Sequence, residues 1–143
     1  MKTVIPAQAE AKLDFRLVPD QDPDEIFALV RTHLDEQGFA DVELTRLGAM
    51  WPAKVAADDP FVTLTAESAA EVYGLPALID PLAGGSSPVY AFAKPLGDIP
   101  VVTAGTSYSD NRIHAPNEHV RLSDFHKGAR HLARILDRFG SLA

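Results

Sequence analysis

The sequence predicts an α/β fold in two parts: a strand–helix–strand unit, then a lobe in which helices alternate with short strands. Three observations predict it. Residues 7–17 alternate apolar and polar side chains without a break. Two stretches, after Asp22 and after Ser123, repeat apolar residues at helical spacing behind capping residues. Between them, the apolar run 99–103 reads as a buried strand.

Along the chain, Ala7, Ala9, Ala11, Leu13, Phe15 and Leu17 share one face of an extended segment; Gln8, Glu10, Lys12, Asp14 and Arg16 share the other. Period two over this length marks a half-buried strand, and Pro19 ends it. Asp22-Pro23-Asp24-Glu25 supplies an N-cap, a proline at the first helical position and acids against the positive helix end. The helix continues on Ile26, Phe27, Leu29, Val30 and Leu34 and stops at Gly38. Residues 39–47 read as a second strand, with Val42 and Leu44 on one face.

From 51 to 60 the texture changes to prolines, adjacent aspartates and no periodicity, as expected of a crossing between lobes. Ser68 and Tyr73 belong to a helix that starts near residues 63–65 and ends at Gly74. Residues 75–79 read as a short strand. Gly84-Gly85-Ser86-Ser87-Pro88 forms a tight loop, and Pro88 opens a short helix through Tyr90, Phe92 and Ala93. After the strand at 99–103 comes a long loop, 104–117. A last helix, 123–139, is capped by Ser123 or Asp124 and carries the apolar stripe Phe125, Ala129, Leu132, Ala133, Leu136 and Phe139. A two-stranded sheet is marginal alone, so this lobe reads as one edge of a larger sheet.

Composition narrows the function. With 143 residues and 46% apolar content the chain can build one domain or two small lobes. A net charge of −7 disfavours nucleic acid and anionic membrane surfaces as partners. There is no cysteine, so any metal site must use histidine and carboxylates. Residues 1–6 lack the apolar core of a signal peptide, and no stretch is long enough to span a bilayer. A cytoplasmic protein is the expectation.

The chemistry concentrates in Asn111-Arg112-Ile113-His114-Ala115-Pro116-Asn117-Glu118-His119. Pro116 disfavours helix at Ala115, so His114 is presented from a rigid loop. Two imidazoles, a carboxylate and an amide this close suit metal binding or proton transfer. The ordinary alternative is a loop histidine that hydrogen-bonds backbone. Ser107 and Ser109 lie near His114 and Asp110 but in no nucleophile-elbow pattern, which disfavours a serine hydrolase. His126 and His131 are five apart, off any shared helix face, and read as surface residues. Trp51 reads as a packing residue.

Three stretches, in order, resemble the C-terminal part of the zinc-dependent aminoacylase/carboxypeptidase/dipeptidase superfamily. They are the strand around Arg16-Leu17-Val18-Pro19, the Gly84-Gly85-Ser86-Ser87-Pro88 loop, and His114-Ala115-Pro116-Asn117-Glu118-His119 ahead of an acid-capped helix. The resemblance implies that residues 1–56 are the later part of a lid, or dimerisation, domain. Residues 57–143 would then be the C-terminal edge of an α/β zinc-exopeptidase catalytic domain.

By the same resemblance His114 is a terminal ligand of a two-zinc site, and Arg16 clamps the substrate carboxylate with its guanidinium fork. Gly84, Gly85 and Ser86 approach and hydrogen-bond the substrate, while Asn117 and Glu118 support the loop. The remaining ligands and the general base of that family match nothing in this chain. The implied activity is hydrolysis of peptide or N-acyl amino acid amide bonds. The isolated chain is expected to be inactive, to contain no catalytic residue of its own and to form a homo-oligomer through its first lobe. The rival reading is a non-enzymatic α/β module that binds an amino acid or a protein partner.

Overall fold

The computed structural model describes residues 3–81 and 85–142. The chain divides into two compact units, Met1–Pro52 and Ala53–Ala143.

The first unit is organised by α1 (Pro23–Glu36). Asp22 caps it: its carboxylate accepts the Asp24 N–H at 2.6 Å, and Pro23 follows where a missing N–H costs nothing. That same amide, first among several donors, holds the Asp22 carboxyl below the usual carboxylate range. The helix ends at Gln37, and Gly38 reverses the chain at φ +83°. Arg31 then clips the returning segment to the helix. Its guanidinium donates to the carbonyls of Val42 at 2.7 Å and Phe39 at 3.1 Å and pairs with Asp35 at 2.7 Å. Further on, Arg46 pairs with Asp24, and Trp51 donates its indole N–H to the Asp22 cap at 3.4 Å. Residues 39–51 are therefore tied to α1 by side chains.

The expected strand–helix–strand lid is not what forms. Among the described residues no segment pairs in a β-ladder, at 7–17, 39–47, 75–79 or 99–103. Alternation specifies a face that wants cover; it does not supply a partner backbone. Leu13 and Phe15, on the face expected to be inward, are 71% and 54% exposed. At 39–42 the chain makes a turn instead, with the Val42 N–H on the Phe39 carbonyl at 3.1 Å.

The second unit is built on two long helices. The first, α2 (Pro60–Tyr73), starts earlier than its apolar spacing suggests. Asp59-Pro60 repeats the cap of Asp22-Pro23, with the Asp59 carboxylate accepting the Phe61 N–H at 2.8 Å. Gly74 closes the helix at φ +74°, a conformation that a Cβ disfavours. Next come the short α3 (Val89–Ala93) and a 3₁₀ turn (Lys94–Leu96) that Gly97 ends. The Lys94–Asp98 pair at 2.9 Å raises the Lys94 pKa. The last helix, α4 (Leu122–Phe139), follows Arg121 and has no side-chain cap; Ser123 and Asp124 lie inside it.

α2 and α4 pack antiparallel. The Phe61 ring, near the start of α2, meets Phe139, the end of α4, edge-on at 5.9 Å, while Tyr73 at the other end meets His131 at 6.0 Å. Val62, Leu64 and Ile135 form the buried apolar core, with Thr65, Ser68 and His131 buried among them. Arg138 binds Glu67 at 2.6 Å and Glu71 at 3.2 Å, and Arg134 binds Glu71 at 2.6 Å. The extended segment leading out of 99–103 crosses α4 at Gly128. A Cβ there would fall 2.5 Å from Thr106 Cγ2, so the crossing requires a glycine despite its cost of about 1 kcal/mol in a helix interior.

Two expectations for α4 change. His131 is a buried residue, not a surface one, and its Nε2 bonds the Thr65 carbonyl at 3.0 Å. The packed face is Gly128, His131 and Ile135. The apolar stripe read from the sequence lies largely in solvent, with Leu136 75% exposed. α2 packs on the face of α4 that carries His131 and Ile135.

Candidate functional site

The loop between the 99–106 segment and α4 is held by its own hydrogen bonds. Asn111 is its one buried residue. The Asn111 side chain donates Nδ2–H to Ser107 Oγ at 2.9 Å, its N–H reaches the Tyr108 carbonyl at 3.2 Å, and its carbonyl accepts the His119 N–H at 3.1 Å. Residues 111–119 are thus closed into a ring. Within it the Ala115 N–H donates to the Arg112 carbonyl at 2.9 Å and the Glu118 N–H to the Ala115 carbonyl at 3.2 Å. The Glu118 carboxylate turns back to the His114 N–H at 3.4 Å. A second closure lies at the loop's ends, where the Arg121 guanidinium stacks over the Tyr108 ring at 3.9 Å and His119 meets that ring edge-on at 5.9 Å.

The backbone is strained in a localised way. Arg112, His114 and Asn117 have φ of +56°, +60° and +63°. Asparagine tolerates the left-handed region; arginine and histidine do so at a cost on the order of 1 kcal/mol each. Strain of this kind persists where surrounding contacts over-determine it, and it clusters at functional sites.

The two imidazoles differ. His119 donates its Nδ1 hydrogen to the Asn117 carbonyl at 2.9 Å, because a carbonyl can only accept. The His114 ring is exposed and makes no hydrogen bond among the described residues. The ordinary role of a loop histidine, bonding backbone through its ring, therefore belongs to His119 and not to His114.

The other candidates fall in both units. Arg16 lies in the first unit, mostly exposed, with its guanidinium on Asp14 at 2.8 Å. Gly85 and Ser86 lie on an exposed stretch of the second unit, and Gly84 falls outside the described residues. Among the described residues no three histidine, aspartate or glutamate side chains converge to hold a metal ion. The described residues do not make a metal centre by themselves. No helix among them is long and apolar enough to cross a membrane.

Sequence reasoning missed the structural importance of Asn111, Tyr108 and Arg121. In the sequence Asn111 is one polar residue of the 111–119 stretch; its burial follows from the fold of the loop. The stacking of Arg121 on Tyr108 bridges thirteen positions and leaves no local signature.

Comparison with known proteins gives a consistent result. The profile of Peptidase family M20/M25/M40 matches residues 4–138. A Cys-Gly metallodipeptidase of Saccharomyces cerevisiae is 29% identical, over 96% of this chain and 30% of its own length. The crystal structure of an M20 family metallo-carboxypeptidase from Sulfolobus solfataricus superposes with a TM-score of 0.78 at 34% identity, over 85% of this chain and 28% of that one. This chain thus spans about 30% of the length of the curated relative it matches. It belongs to the M20/M25/M40 peptidase family.

Proposed function

We propose that the chain is the C-terminal portion of a metal-dependent peptidase or amidohydrolase that hydrolyses peptide or N-acyl amino acid amide bonds. The observation that carries this reading is the state of His114: a strained position in a closely hydrogen-bonded loop whose imidazole is left uncommitted. Membership in a peptidase family supports it.

In this reading His114 supplies one ligand to a metal, zinc by the resemblance, and residues outside this chain complete the site. Neutral imidazole is an ordinary zinc ligand. Arg16 holds the substrate carboxylate, exchanging its partner Asp14 for a bidentate contact. Gly84, Gly85 and Ser86 line the substrate. The substrate class is a small peptide or N-acyl amino acid, and the protein works as a homo-oligomer. Alone the chain is inactive, because one histidine cannot assemble a co-catalytic metal pair.

Two measurements test this. The purified chain, supplied with zinc or cobalt, should not hydrolyse Cys-Gly or N-acetyl amino acids. Exchanged for the matching stretch of the Sulfolobus carboxypeptidase, it should support hydrolysis and bind metal. His114→Ala in that chimera should lower both metal content and rate. A His114→Ala chimera with full metal content and full activity overturns the assignment.

A further inference from the structure

We propose that Asn111 is the positioning residue of His114, a role that rests on reading His114 as the functional imidazole. The geometry points to it. Asn111 is the buried residue of the 107–121 loop and the place where three hydrogen bonds meet. Its side chain fixes it to Ser107, on the segment that enters the loop. Its carbonyl fixes His119, on the segment that leaves. The strained residues Arg112, His114 and Asn117 all lie between those two anchors. Left-handed backbone at arginine and histidine relaxes unless the ends of the loop are held, and Asn111 holds both.

The chemistry of the amide explains the residue type. The side chain reaches Ser107 Oγ through Nδ2–H, and the main-chain carbonyl takes the His119 N–H independently of it. Alanine removes the donor and leaves Ser107 without this partner. Aspartate has the same shape and can accept the Ser107 hydroxyl hydrogen, reversing the bond without moving the backbone. The Arg121–Tyr108 stack closes the same loop farther out, by ring contact and without a hydrogen bond between the two side chains.

Nuclear magnetic resonance of the full chain tests the assignment without metal or activity. Asn111→Ala should speed amide exchange at His119 about tenfold, the size expected for one weakened hydrogen bond. It should also move the His114 backbone amide and Hα resonances toward those of an unstructured histidine, as its left-handed φ relaxes. Ser107→Ala should reproduce both changes, and Asn111→Asp should restore them. Amides of Val62, Leu64 and Ile135 should keep wild-type protection in every variant, because these residues pack between α2 and α4. Unchanged His114 and His119 signals in Asn111→Ala and Ser107→Ala overturn the proposal. So does equal loss of protection at the core amides, which marks a general structural role. Failure of His114 to bind metal in the chimera would defeat the functional reading and leave this result standing.

Discussion

His131 donates its Nε2 hydrogen to the Thr65 carbonyl at 3.0 Å, joining α4 to α2 through the buried centre of the second unit. A carbonyl only accepts, so this bond fixes the ring nitrogen that carries the proton. The Tyr73 ring lies against the imidazole edge-on at 6.0 Å. A residue with a polar tip and an aromatic body therefore serves as core.

His131→Ala should destabilise the second unit by about 2 kcal/mol, combining lost packing with a lost buried hydrogen bond. Thermal or denaturant unfolding measures it. A variant as stable as wild type would show that α2 and α4 do not depend on this contact.

Acid should loosen the same helix pair. The Arg134 guanidinium, hydrogen-bonded to Glu71 at 2.6 Å, holds the Glu71 carboxyl below its ordinary value, with Arg138 adding to the effect. A carboxylate with a lowered folded pKa contributes stability that is fully present above its unfolded value, about 4.3. That contribution is lost as pH falls through the lower folded value. Stability should therefore fall as pH drops below about 4, and Glu71→Gln should flatten that part of the profile. An identical acid profile in the variant would place the titration elsewhere. Because the pair is exposed, high salt should shrink the effect.

Gly128 gives a prediction of unusual sign. Glycine to alanine inside a helix ordinarily stabilises by about 1 kcal/mol. Here the new methyl would meet Thr106 Cγ2 at 2.5 Å, and a β-branched side chain has little room to yield. Gly128→Ala should lower the melting temperature. In a Thr106→Ser background, which lacks that methyl, the same change should raise it. Additive effects of the two substitutions would rule out the contact.

What the sequence made legible was local. The cap and stop of α1 could be read from Asp22-Pro23 and Gly38, and the end of α2 from Gly74, because the signals sit within a turn of the feature. The loop around His114 is legible for a similar reason: Pro116 disfavours helix beside it. The strands were misread because a ladder needs a second backbone, and alternation at 7–17 says nothing about where that backbone is. Asn111 and His131 were missed because burial of a polar side chain depends on a distant partner, Ser107 Oγ in one case and the Thr65 carbonyl in the other.

The sharpest test of the core lies in two adjacent residues. The apolar spacing of α4 selects Leu136, with Phe125, Ala129, Leu132, Ala133 and Phe139, as the packed stripe. The structure instead buries Ile135 to 9% exposure and leaves Leu136 75% exposed. Ile135→Ala removes three carbons from the α2–α4 contact and should cost about 2–4 kcal/mol. Leu136→Ala, one position on, should change stability by less than about 0.5 kcal/mol. Leu136→Glu should leave the fold intact and weaken any self-association of the chain, since exposed apolar surface promotes it. Unfolding curves for the alanine pair, with light scattering for the glutamate variant, decide the matter. Equal costs at the two positions, or a larger cost at Leu136, would restore the stripe read from the sequence as the buried face and displace Ile135 from the core.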